Sequence, residues 1–171
     1  MCDKIQEVLW VFADTYSVYG GQKAMKEVNL GDYRSDVERL LPYLPWLEAK
    51  AGVNVSRFYD DNGLSSSTIV FPVYEPTLLN FVNEAAKTGL MDKNYIYTYT
   101  DYSIKTVEDE KKAIEDADIK TAEVLISVLS KYVLGGMTKG SLWSTAVSEG
   151  IFVAVLKRMK VLLDIWDKPL A

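Results

Sequence analysis

Two apolar stripes at helical spacing in the last third of the chain most limit what it can fold into. Ile119, Ala122, Leu125, Ile126, Leu129, Tyr132 and Val133 recur at steps of three and four residues behind Asp118. That spacing places them on one face of a helix, which Gly135-Gly136 should stop. Phe152, Val155, Leu156, Met159, Leu162, Leu163 and Trp166 repeat the pattern, with Pro169 just beyond. Leu142, Trp143, Ala146 and Val147 predict a shorter helix between them. Short connections favour antiparallel neighbours. The expected fold is therefore mainly α, an antiparallel helical bundle forming a single helical domain over residues 1–171.

Upstream, Ile5, Val8, Leu9, Phe12, Tyr16 and Tyr19 predict a helix from Asp3 to Tyr19, ended by Gly20-Gly21. A short helical piece at Gln22–Val28 and a turn at Asn29-Leu30-Gly31-Asp32 follow. Ser35 and Glu38 have the spacing of a capping box. They should open a helix with Val37, Leu40, Leu41, Leu44 and Leu47 inward. Pro42 and Pro45 must kink or restart it, because each removes an amide donor. Gly52 closes it. Pro76 opens a further helix lined by Leu78, Leu79, Val82, Ala85 and Ala86. Thr106 should cap a charged helix from Val107 to Ala117.

The middle of the chain changes character. Val53–Phe58 and Thr68–Tyr74 are rich in β-branched and aromatic residues and flank turn-forming residues from Asp60 to Ser67. They predict a small β-hairpin, with Pro72 at an edge. Tyr95 to Tyr102 alternates tyrosine with Ile96, Thr98 and Thr100. It reads as extended, with Tyr95, Tyr97 and Tyr99 on one face.

Composition removes much chemistry. The chain has no histidine and one cysteine, Cys2. Ser-His-Asp and Cys-His units, Cys/His zinc sites and an intramolecular disulfide are excluded. No cofactor and no metal is expected. Asp60-Asp61-Asn62 lacks the spacing of a calcium loop. Gly135-Gly136-Met137-Thr138-Lys139-Gly140-Ser141 puts lysine before glycine, the wrong order for a phosphate-binding loop. The net charge is −5, and the acidity lies in residues 53–116. Direct nucleic-acid binding is thereby disfavoured. The apolar run Ile151 to Leu156, which no other exceeds, is far shorter than the roughly 20 residues of a membrane span. With charged Asp3, Lys4 and Glu7 near the start, the expectation is a cytoplasmic protein.

Two neighbouring segments stand out as a candidate interface. Tyr95, Tyr97, Tyr99 and Tyr102 would supply contact area. Glu108, Asp109, Glu110, Glu115 and Asp116 would attract a basic partner, interrupted by Lys111 and Lys112, which are placed for helical pairs with Glu115 and Glu108.

Three segments carry a resemblance: Leu40-Leu41-Pro42-Tyr43-Leu44-Pro45-Trp46-Leu47-Glu48; Phe71-Pro72-Val73-Tyr74-Glu75-Pro76-Thr77-Leu78-Leu79-Asn80-Phe81-Val82 ahead of Thr88-Gly89-Leu90; and Gly140-Ser141-Leu142 with Glu149-Gly150-Ile151 and Val155-Leu156-Lys157-Arg158-Met159. Over most of residues 35–163 they resemble an uncharacterised family of small helical proteins from bacteria and their phages, known only as a domain of unknown function. The family tends to show an arginine-containing polar stretch before the glycine, whereas Ser127–Tyr132 here holds Lys131 as its only charge. The resemblance implies a helical fold and a phage or mobile-element setting, and no activity.

The expected function is binding: a small interaction protein whose partner is another protein with a basic surface, or a second copy of itself. One alternative is an acidic inhibitor that mimics nucleic acid toward a host nucleic-acid enzyme or defence system. The other is an enzyme working through carboxylates and tyrosines without histidine.

Overall fold

The computed structural model describes residues 28–58 and 72–168. The helix expected at Asp3–Tyr19, most of the piece at Gln22–Val28, the Asp60-Asp61-Asn62 loop and Pro169 lie outside them.

The chain enters through a 3-10 turn, Leu30–Tyr33, where the Asn29 side chain accepts from the Gly31 amide at 3.0 Å. The turn runs straight into helix α1, Arg34–Leu40. Ser35 is thus inside the helix and caps nothing, contrary to the sequence reading. The physical reason is that carbonyls of the preceding turn already serve the first donors, as when the Arg34 amide bonds the Gly31 oxygen. The two prolines act as expected. A 3-10 turn at Leu41–Tyr43 holds Pro42, and the chain restarts as α2, Leu44–Lys50, with Pro45 in its first turn.

Strands β1, Ser56–Phe58, and β2, Pro72–Tyr74, pair antiparallel with Ser56 opposite Tyr74 and Phe58 opposite Pro72. This is the small β element of an otherwise helical fold. Pro76 then opens α3, Pro76–Ala86. Helices α4, Tyr95–Asp101, α5, Val107–Asp116, α6, Glu123–Gly136, α7, Ser141–Ser148, and α8, Ile151–Trp166, complete the described chain.

Helices α6 and α8 form the centre. Helix α6 packs on α3, α4, α5, α7 and α8, and α8 also packs on α1, α2, α5 and α7. The two stripes read from the sequence supply this contact: Leu125, Leu129, Val133, Phe152, Val155, Leu156 and Met159 are buried completely. Burying each such side chain is worth about 1.5–3 kcal/mol. A file of aromatic rings crosses the core edge to face. Tyr43 stands 5.5 Å from Phe81, Phe81 4.9 Å from Phe152, and Phe152 6.2 Å from Tyr132. The turn from α6 into α7 is tight because Gly136 has no side chain. A Cβ there would lie 2.0 Å from Nε1 of Trp143, whose indole donates to the Val133 carbonyl at 3.3 Å. The glycine-containing segment 135–141 is thus a helix-to-helix connector.

Candidate functional site

The tyrosine segment is helical, not extended. Tyr95–Asp101 forms α4 although tyrosine, isoleucine and threonine are indifferent helix formers. Tertiary contacts override the alternating pattern. A lone strand here would leave its amides and carbonyls without a ladder. A helix satisfies them and brings Tyr99 and Tyr102, three residues apart, to neighbouring partners. The helix ends in a Schellman motif: the Ser103 amide bonds the Thr100 carbonyl at 3.1 Å and the Ile104 amide the Tyr99 carbonyl at 2.9 Å. Ser103 takes φ 54°, a left-handed conformation that suits glycine. Ile104 folds inward and is buried.

Helix α4 lies antiparallel on α6. At one end the Tyr102 hydroxyl donates to Glu123 at 2.5 Å. At the other, the Tyr95 hydroxyl lies beside Gly135, 3.9 Å from where a Cβ would stand. Between them sits a buried cluster around Glu110. This carboxylate is wholly enclosed. Tyr99 donates to Oε1 at 2.8 Å and Tyr132 to Oε2 at 2.6 Å. The Lys131 ammonium pairs with Oε1, and it lies 5.0 Å and 4.9 Å from the ring centres of Tyr99 and Tyr132. Burial, reinforced by the Glu110 carboxylate, pushes both phenols far above their ordinary range. Burial and then Glu123 do the same to Tyr102. These phenols stay protonated and act as donors. The cluster suits holding α4, α5 and α6 together better than moving protons.

The two expected interface segments meet at the Tyr99–Glu110 hydrogen bond, and otherwise α4 packs on α6 and α5 on α8 and α6. Glu110 faces inward, because its neighbours on a helix that packs against α6 and α8 must face the core. Asp109 serves the N-terminus of its own helix: it accepts from the amides of Lys105 at 3.0 Å and Thr106 at 2.9 Å, while Thr106 accepts from the Asp109 amide at 3.1 Å. Those bonds hold its carboxyl below the usual range. Thr106 is the cap the sequence suggested. Lys111 turns away from Glu115 and meets Glu149 at 2.7 Å, which raises its ammonium. Glu108, Glu115 and Asp116 remain exposed. In a helix Tyr95 and Tyr99 share one face, with ring centres 6.1 Å apart, and Tyr97 lies on another. Ile96 and Tyr97 point outward, 64% and 57% exposed.

Sequence reasoning missed Lys131, Tyr132 and Glu123 as partners of these residues. Lys131 carried a signal. It is the only charge between Val124 and Gly136, on a helix buried on nearly every side.

Two grooves flank the turn from α4 to α5. One, of about 480 Å³, is lined by Tyr95, Ile96, Tyr99, Lys105, Lys131 and Leu142 among others. The second, of about 380 Å³, runs along Tyr102, Asp109, Lys112 and Asp116. Ser103 and Ile104 line both. Among the described residues no acidic or cysteine cluster is placed to hold a metal ion, and no helix is long and apolar enough to cross a membrane.

Residues 33–164 match a family described as a Family of unknown function (DUF6508). No curated protein and no solved structure matches the chain.

Proposed function

The chain belongs to this family of unknown function, and we propose that it is a protein-interaction domain whose contact surface is the outer side of α4. The observation that supports this reading is the exposure of Ile96 and Tyr97, side by side, on a helix with no buried residue. Single exposed apolar side chains are ordinary. Here two are consecutive, with Ile96 lining a groove, on a helix fastened from beneath by Tyr99 and Tyr102. A rigid apolar presentation lowers the ordering cost of binding, and tyrosine is enriched among residues that dominate interfaces. The carboxylates expected to draw a basic partner contribute less to this reading, since Glu110 is enclosed and Asp109 caps its helix. We also take the protein to act in the cytoplasm of a bacterial cell, encoded by the bacterium or by a phage; the source rests on the resemblance of the three sequence segments.

The test is capture of a partner from a lysate of the source cells, with Ile96→Asp and Tyr97→Ala compared with the unaltered protein after circular dichroism shows each folded. The reading expects a protein retained by the unaltered chain and lost by both variants. Equal retention by all three would place the contact elsewhere.

A further inference from the structure

The groove beside α4 has a character that narrows what can occupy it. Its volume of about 480 Å³ falls in the range of sites that enclose a ligand or a few side chains, roughly 300–1,000 Å³. Tyr95, Tyr99, Ile104 and Leu142 give it an apolar floor. The ionisable groups that touch it, phenols aside, are Lys105 and Lys131, both cationic, in a chain of net charge −5. An ammonium offers three N–H donors. Lys131 directs one contact to Glu110, whose two oxygens already receive Tyr99, Tyr132 and Lys131. Its side chain keeps 28% exposure and is part of the groove lining. Lys105 is exposed at the rim.

We propose that this groove takes an acidic, apolar segment of a partner protein, with an apolar side chain seated between Tyr95, Tyr99 and Leu142 and a neighbouring carboxylate meeting Lys105 and Lys131. Charge complementarity selects an acidic occupant. The place of the groove selects a peptide segment over a small molecule: Ile96, 64% exposed on the outer side of α4, is part of its lining. The proposal rests on the reading of α4 as an interface and adds the chemistry of the partner.

The experiment is panning of a phage-displayed library of random peptides of about twelve residues against the full chain. Selected peptides are then synthesised and their binding measured by calorimetry. They are expected to carry Asp or Glu within two positions of Leu, Ile or Phe. Lys105→Glu should weaken them at least about tenfold, and raising NaCl from about 50 to about 500 mM should weaken them further. The hydrogen bond Lys105 gives the α5 cap comes from its backbone amide, which the variant keeps, while its ammonium also favours the Asp109 carboxylate; circular dichroism checks that the variant is folded. Selection of basic or uncharged peptides, recovery of none above background, or undiminished binding by Lys105→Glu would overturn the proposal. So would benzoate alone binding as tightly as the peptides, since the occupant would then be a small anion. Loss with Ile96→Asp but not with Lys105→Glu keeps the interface and removes the acidic occupant. Loss with neither removes the interface itself.

Discussion

Tyr132 donates to Glu110 across 2.6 Å from the end of an aromatic file that reaches back through Phe152 and Phe81 to Tyr43. The one buried charged side chain among the described residues is thereby tied to the middle of the core. The same carboxylate takes Tyr99 of α4, so the position of the exposed Ile96 and Tyr97 depends on a group carried by another helix.

Removing that group should cost far more than removing its neighbours. Glu110→Ala leaves Tyr99 and Tyr132 without their acceptor and Lys131 without its counter-charge, which should lower stability by about 3–5 kcal/mol. Urea denaturation measures it. Glu115→Ser, on the exposed side of the same helix, should leave the midpoint unchanged. Similar losses in both variants would contradict the burial of Glu110.

The phenols predict an alkaline limit. Tyr99, Tyr102 and Tyr132 hold their protons in the folded state well past the ordinary value, first through burial and then through Glu110 or Glu123. An unfolded chain loses them near pH 10. The folded state then binds more protons, so stability falls as pH rises above about 10, while below it this contribution is complete. In a spectrophotometric titration these phenols should ionise only as the protein unfolds. Reversible ionisation of all tyrosines around pH 10 with the helical signal intact would contradict it.

Ser103 should be improved by glycine. Its φ of 54° costs a residue with a Cβ about 1–2 kcal/mol, partly offset because glycine gives the unfolded chain more freedom. Ser103→Gly should therefore raise stability by up to about 1 kcal/mol, seen as a higher melting temperature. Ser103→Val should lower it.

Gly136→Ala should do the reverse of what helix propensity suggests. The added methyl would meet Trp143 at 2.0 Å, and relieving it means moving an indole bonded to Val133. Overpacking of this kind costs about 1–3 kcal/mol. A fall in melting temperature with a changed tryptophan emission is expected.

The sequence made the central helices legible because Leu125, Leu129, Phe152 and Val155 repeat at a spacing only a helix buries. The prolines of α2 and α3 and the Thr106 cap were legible for the same local reason. Helix α4 was not. Its alternation of tyrosine with threonine is strand-like, and what makes it helical, Glu110 and Glu123 waiting on other elements, is set by tertiary packing. The acidic run looked exposed because charge in sequence carries no facing. Glu110 and Glu115 stand in one run, and helical geometry sends the first inward and the second to water.

A double-mutant cycle with Tyr99→Phe and Glu110→Gln tests most directly whether the tyrosine and acidic segments are fastened to each other. Urea denaturation of the two single variants, the double variant and the unaltered protein yields their coupling energy. Direct hydrogen bonding in a buried site predicts about 1–2 kcal/mol, with the double variant less damaged than the sum of the singles. A coupling energy indistinguishable from zero would mean the two residues act independently, and would contradict the fastening on which the α4 surface depends.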